Sequence, residues 1–370
     1  MAIMGSVGGD GPRWSEDVGQ ADWIAERLTP WGDRDLAVTA VVPGGFESYA
    51  RLLHPAYKSQ ACAYTDVQDA AGDHGTGDRV VRWAEIAAWS GLPLHRTAQF
   101  HAVALPPSPR PVPPPFTQGP WEGSLDLADA RALAGVLRAW TGTPDDCWFC
   151  VWDGFGWNTG TSLVSILTRA GERPETAVPG PPADPVPGPV RDGPRVRLPN
   201  RDYLLYRGPA EAVTAAAALS PGGGQTANLW WPADRAWCVA TEIDLMVTYV
   251  GGPAALIDAL GADDRIEALP TRPDDPASLV LEDWVAGWVD GLTDTLVSVG
   301  SAVLTTGLGT VRARLRRPVP LGPWRLEVET VADDGSRSTS DSRLRVRDQA
   351  GLRRDVGLQL TFAILGLTQG

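Results

Sequence analysis

A chain of 370 residues is longer than one hydrophobic core comfortably organises, so two domains are expected, and an apolar content of 43% is enough to fill them. The formal charge of −13 excludes nonspecific nucleic-acid binding, which needs a basic surface to displace counterions from phosphates. The N-terminus MAIMGSVGGDGPRW lacks a basic and an apolar leader region, and the longest apolar run, 296–308, is too short to span a bilayer and is broken by Gly300, Thr305 and Gly307, so a cytoplasmic protein with no membrane span is expected.

In chain order, residues 15–28 place Val18, Ala21, Ile24 and Leu28 on one helical stripe, with Ser15 as cap and Pro30 beyond the end. An apolar strand over 36–42 turns at Pro43-Gly44-Gly45 into a helix over 46–53. Residues 82–89 and 127–140 predict helices, the second opened by Asp126. Strands are predicted over 147–152, 203–206 and 237–245, and a helix over 253–260. Two proline-rich stretches, 106–120 with eight prolines in fifteen residues and 174–199 with nine in twenty-six, read as loops, because proline fixes φ and removes a ladder donor. The resulting division is an N-terminal α+β part over 1–105, a helix-plus-strand part over 121–173, a Trp-rich α+β part over 200–270 and a separate domain over 277–370.

No cofactor or metal is expected. Cys147 and Cys150 form C-W-F-C without the second pair a zinc ribbon needs, and on a strand residues three apart point to opposite faces. His95 and His101, six apart, lack a third ligand nearby. Gly44-Gly45 and Gly251-Gly252 lack the spacing of a phosphate cradle, and GGGQ at 222–225 reads as a helix C-cap. Trp230 and Trp231, ahead of the Pro232–Arg235 turn, are candidates to line a shallow pocket. Glu242 and Asp244 alternate onto one strand face, as an acid/base pair or as an ordinary solvated edge.

The stretches PGGFESYARLLHP, RWAEIAAWSG, NLWWPADRAWCVATEID and TYVGG resemble an uncharacterised family of actinobacterial proteins over residues 14–275. That resemblance implies a shared fold and brings no activity with it.

The C-terminal portion differs in charge. Residues 300–370 hold eleven arginines against seven acidic residues, a local balance of +4, so that the remainder carries −17. Such asymmetry marks a domain boundary, and LPTRPDDP at 269–276 is the expected hinge. A helix over 283–298 precedes four alternating strands, 311–315, 325–329, 343–347 and 356–362, with turns at 318–322, 334–335 and 348–351. The alternation places the arginines of the first strand on a solvated face opposite Glu327 and Glu329 of the second. The fold class expected overall is α+β: an irregular α/β N-terminal region followed by a helix and an antiparallel meander.

A helix followed by such a meander, with R-R-P-V-P-L-G ending the first strand, resembles the hotdog fold of acyl-thioester hydrolases over residues 277–366. In that family a His-Gly-Gly turn opens the helix, and an acidic residue follows the second glycine by seven positions, as Asp294 follows Gly287 here. The resemblance implies that the Gly287 amide polarises a thioester carbonyl, and that Asp294 acts as general base, as nucleophile or as ligand holder. Asp290 and Trp288 then become ligand-contacting candidates, and a homodimer is implied. Val285 and Ala286 stand where the family has His and its first Gly. Asp290 and Asp294 also lie four apart, the spacing of a plain solvated helix face. The functional expectation is a binding protein, non-enzymatic or weakly catalytic, with an acyl or acyl-thioester ligand. The alternatives are an active thioesterase and a protein-interaction or assembly protein.

Overall fold

The computed structural model describes residues 11–31, 36–59, 78–106, 112–154, 188–199, 201–214, 226–277, 283–317, 323–332, 335–344, 346 and 348–368. The GGGQ stretch, the turn at 318–322, Arg345, Arg347 and most of the 174–199 loop lie outside the described residues. Two compact units emerge: Met1–His54, Ala63–Gly77 and Trp121–Ser278 form one, and Pro55–Cys62, Asp78–Pro120 and Leu279–Gly370 form the other. The break after Ser278 follows the expected hinge, whereas residues 78–120 group with the C-terminal segment, which a linear division of the chain does not anticipate.

The first unit is built on a nine-stranded antiparallel sheet. Its strands are β1 (Arg13–Trp14), β2 (Ser48–Leu53), β5 (Cys147–Trp152), β6 (Val196–Leu198), β7 (Arg201–Gly208), β8 (Leu229–Pro232), β9 (Cys238–Thr241), β10 (Val247–Gly252) and β11 (Ala268–Thr271). The order is β1-β7-β5-β8-β9-β10-β2-β11, with β6 also on β7. Strands β5, β8, β9 and β10 are largely apolar and buried at every position but Trp152, the pattern of strands covered on both faces. One face carries Ala50, Leu52, Phe149, Trp230, Val239 and Val250 into a core shared with α4 (Leu127–Leu137) and α6 (Ala254–Gly261). Asp126 caps α4 by accepting from Ala128 N and Asp129 N, as its position ahead of the apolar stripe predicts. Short helices α1 (Asp22–Arg27) and α5 (Gly188–Asp192) complete the unit.

Two expectations are overturned here. Within residues 46–53, expected as a helix, Ser48–Leu53 form β2, paired along its whole length with β10 and over Tyr49–Leu52 with β11; pairing on both edges overrides the helical preference of Ala, Arg and Leu. Residues 36–42, expected as a strand, form only the 3-10 turn Val38–Ala40, because Val38 N and Thr39 N donate to the carbonyls of Asp275 and Pro273. The helix expected over 15–28 breaks into a 3-10 turn, Val18–Ala21, and α1.

The second unit contains the β3 (Ala56–Lys58) and β4 (Arg79–Val81) pair, α2 (Trp83–Ser90) and α3 (Phe100–Ala104), gathered on Trp83, Phe100 and Phe116 with ring centroids 5.3 and 5.6 Å apart. Its C-terminal part runs from α7 (Asp283–Val299) through β12 (Ser301–Thr305), β13 (Gly309–Arg316), β14 (Trp324–Ala332) and β15 (Arg337–Leu344) to α8 (Gln349–Gly366). The four strands form an antiparallel meander in sequence order. Val311, Ala313 and Leu315, with Leu326 and Val328, turn inward under α7 and α8. On the outer face Arg312 stands opposite Glu329 and Arg314 opposite Glu327, as the alternation predicts.

The strand expected over 356–362 is instead the middle of α8. Two periods coexist there: Val356, Leu358, Leu360 and Phe362 alternate, while Leu352, Val356, Leu360 and Ile364 recur every fourth residue. Asp348 caps the helix by accepting from Gly351 N at 2.7 Å, and the four-residue stripe is the buried one. The strand expected over 343–347 is displaced toward the N-terminus, as β15, and β12 was not anticipated. Among the described residues, no helix is long and apolar enough to cross a membrane.

Candidate functional site

The tryptophan-rich segment does not form the expected pocket. Trp230 and Trp231, adjacent on β8, point to opposite faces of the sheet and both are buried. Trp230 stacks on Phe149 at 6.1 Å and meets Trp237 at 5.1 Å, while Trp231 meets Trp23 edge-on at 6.1 Å. Burying two such rings from one dipeptide is what a doubly covered strand permits, so they anchor the core.

Glu242 and Asp244 are held by Arg201 at the start of β7. Arg201 Nε donates to Glu242 Oε1 at 3.0 Å and Nη2 to Asp244 Oδ2 at 3.0 Å, while Asp244 N donates to Glu242 Oε2 at 2.7 Å. The guanidinium carbon lies 5.2 Å from the Trp31 ring centroid and 5.8 Å from that of Trp152. Glu242 is 7% exposed and both its oxygens accept N–H donors, so neither is aimed at a substrate. The cavity beside it, lined by Trp31, Tyr203, Thr241 and Glu242, measures about 20 Å³, room for one water at most. At the other end of β7, Arg207 holds Asp146 with two bonds of 2.6 and 2.7 Å. These are arginine clamps that fasten the sheet.

His54 sits at the centre of a buried relay. Its Nδ1 lies 2.7 Å from the Trp121 carbonyl, which can only accept, so Nδ1 carries the proton and Nε2 accepts from Thr248 Oγ1 at 2.9 Å. Thr248 Oγ1 then accepts from Thr241 Oγ1 at 2.7 Å. Burial pushes the His54 pKa down to about 4. Burial likewise lowers the pKa of His101, which lies in α3, to about 4, while His95 bonds Thr97, so the two histidines share no strand face. Cys147 and Cys150 are buried on β5, and burial raises both thiols, Cys147 to about 12. Among the described residues no group of three or more His, Cys, Asp or Glu is gathered to hold a metal.

In α7 the buried stripe is Val285, Val289, Leu292, Thr293 and Leu296. Gly287, Asp290 and Asp294 are exposed, and Trp288 is half-buried. The helix begins at Asp283, so Gly287 lies beyond the four N-terminal residues whose amides are free, and its N–H belongs to the helical ladder. Asp294 forms an ion pair with Arg353 of α8. The arrangement implied for a thioester site, a free amide beside a free carboxylate, is therefore not assembled. Its four residues belong to one helix, Gly287, Asp290 and Asp294 on the solvated side and Trp288 half-buried.

The feature that sequence reasoning missed lies on the other flank of α8. Leu358 and Phe362, one turn apart, are 53% and 61% exposed. Gln359 Oε1, between them in sequence, accepts from Ser342 Oγ at 3.2 Å and ties the helix to β15. β15 is exposed along almost its whole length, on the helix-facing side (Ser338, Ser340) as well as the outer side (Arg337, Thr339, Asp341, Arg343), and among the described residues it pairs only with β14. The helix that carries this exposed apolar pair is thus tied to an open edge strand. The surplus of apolar residues in VGLQLTF, more than one helical stripe can bury, was the signal available in the sequence.

No protein-family model, no curated protein and no solved structure matches the chain.

Proposed function

We propose that this protein is a protein-interaction or assembly protein whose C-terminal sheet-and-helix part carries the contact surface. The observation that carries this reading is the exposed Leu358–Phe362 flank of α8 beside the uncovered edge strand β15. Apolar side chains at i and i+4 on the solvent side of a well-capped helix weaken solubility unless something covers them. An open strand edge supplies backbone donors and acceptors that a polypeptide, and no small acyl ligand, satisfies in series. The engaged state of Asp294 and the position of Gly287 inside the ladder favour this reading over thioester hydrolysis.

The test is photo-crosslinking of the full chain in cells, with benzoylphenylalanine in place of Phe362 and, as a control, in place of the exposed Asp264. Crosslinking to a polypeptide at 362 and not at 264 is expected. A folded protein that crosslinks at neither position overturns the reading.

A further inference from the structure

We infer that the polypeptide covering this surface is a second copy of the chain, joined antiparallel through β15 about a two-fold axis at Ser342. The inference rests on the interaction reading above and names its partner. Pairing a strand with its own copy places residue i opposite residue j with i + j constant. Keeping the helices of both copies on one side of the joined sheet requires that sum to be even, so the axis must pass through a residue.

Charge decides among the registers. An axis at Ser340 sets Arg337 against Arg343, and an axis at Asp341 sets two aspartates against each other, both unfavourable. An axis at Thr339 sets Arg337 against Asp341, but Arg337 already has Glu329 at 3.6 Å and Arg343 then falls opposite Gly335, with no acid to meet. An axis at Ser342 sets Arg343 against Asp341 twice. Arg343 is the group in need of such a partner. It closes a row of directly opposed arginines, Arg316–Arg325–Arg343, running across three strands of the outer face. Within that row Arg325 has Asp341 at 3.0 Å and Arg316 has Glu327 at 3.6 Å, while Arg343 forms no ion pair among the described residues. Like charges directly opposite destabilise a sheet, and Asp341 of the second copy would end the row with an acid.

The same axis suits the apolar flank. Ser342 is hydrogen-bonded to Gln359, so the axis lies level with the turn of α8 that carries Leu358 and Phe362. Pairing there brings the two α8 helices together on the helix-facing side, over the exposed Ser340 of each copy. The sheet becomes eight-stranded and Ser340–Leu344 of each open edge is covered.

The experiment is light scattering and sedimentation of the full chain across a concentration series. Wild type is expected to be dimeric. Asp341→Arg and Arg343→Asp, both at exposed positions, are each expected to weaken dimerisation by about tenfold, since each turns two attractive pairs repulsive. The double variant D341R/R343D is expected to restore it. In oxidising conditions Ser342→Cys is expected to crosslink across the axis and Thr339→Cys not to. A monomeric wild type, or a dimer indifferent to both single variants, overturns the inference. If position 362 nevertheless crosslinks to a different polypeptide, the interaction reading stands and only the identity of the partner fails.

Discussion

Lowering the pH from 7 to 5 should cost the first unit about 2 kcal/mol through His54 alone. The imidazole is fully buried, and burial brings its pKa from 6.5 to about 4. In that window the unfolded chain takes up a proton that the folded chain refuses. Stability is therefore present above pH 6.5 and is lost as pH falls toward 4. At about 1.4 kcal/mol per tenfold change in proton affinity, the whole window is worth about 3 kcal/mol, of which about 2 falls between pH 7 and 5. The relay explains the refusal: Nδ1 donates to the Trp121 carbonyl and Nε2 accepts from Thr248, so a second proton would remove the acceptor that Thr248 uses. The assay is urea unfolding followed by tryptophan fluorescence at the two pH values, for wild type and His54→Gln. The variant should be less stable at pH 7 but should lose about 2 kcal/mol less than wild type on acidification. Equal losses in both proteins would refute the assignment of a neutral, doubly bonded His54.

Three further outcomes follow from the same geometry. Arg201→Met should destabilise the first unit by about 3 kcal/mol, measured by urea unfolding, because Glu242 is left buried without its cation; a loss under 1 kcal/mol would show that the clamp is dispensable. Leu360→Ala should cost about 2–5 kcal/mol while Leu358→Ala costs about 0.5 kcal/mol or less in dilute protein, since only the former is in the buried stripe of α8; equal costs would favour the strand reading of this segment. Purified protein should not hydrolyse a panel of acyl-CoA esters, and turnover that disappears in Asp294→Ala would reinstate the thioester reading.

Much of the architecture was readable where one signal acted alone. The strand at 147–152, the helix capped by Asp126 and the pairing of arginines with Glu327 and Glu329 each rest on a single period or a single cap, and each appears as expected. Expectations failed where two signals competed. Residues 46–53 have helical residue types, but β10 and β11 claim both of their edges, a long-range pairing that no local window contains. Residues 356–362 satisfy both a two-residue and a four-residue period, and the cap at Asp348, which in the sequence reads equally as a turn, decides for the helix. The candidate site was less legible. Trp230 and Trp231 read as pocket candidates because they precede the Pro232–Arg235 turn, and Gly287 looked catalytic because only its distance from Asp294 could be read. The spacing says nothing of where the helix begins or of Arg353, fifty-nine residues beyond Asp294.

The account turns on the open edge at β15, and the most direct measurement is the mass of the full chain in solution for wild type, Asp341→Arg and the double variant D341R/R343D. A dimer, a mass shifted toward the monomer and a dimer again, at one micromolar-range concentration, is the predicted series. The same mass for all three proteins would contradict it.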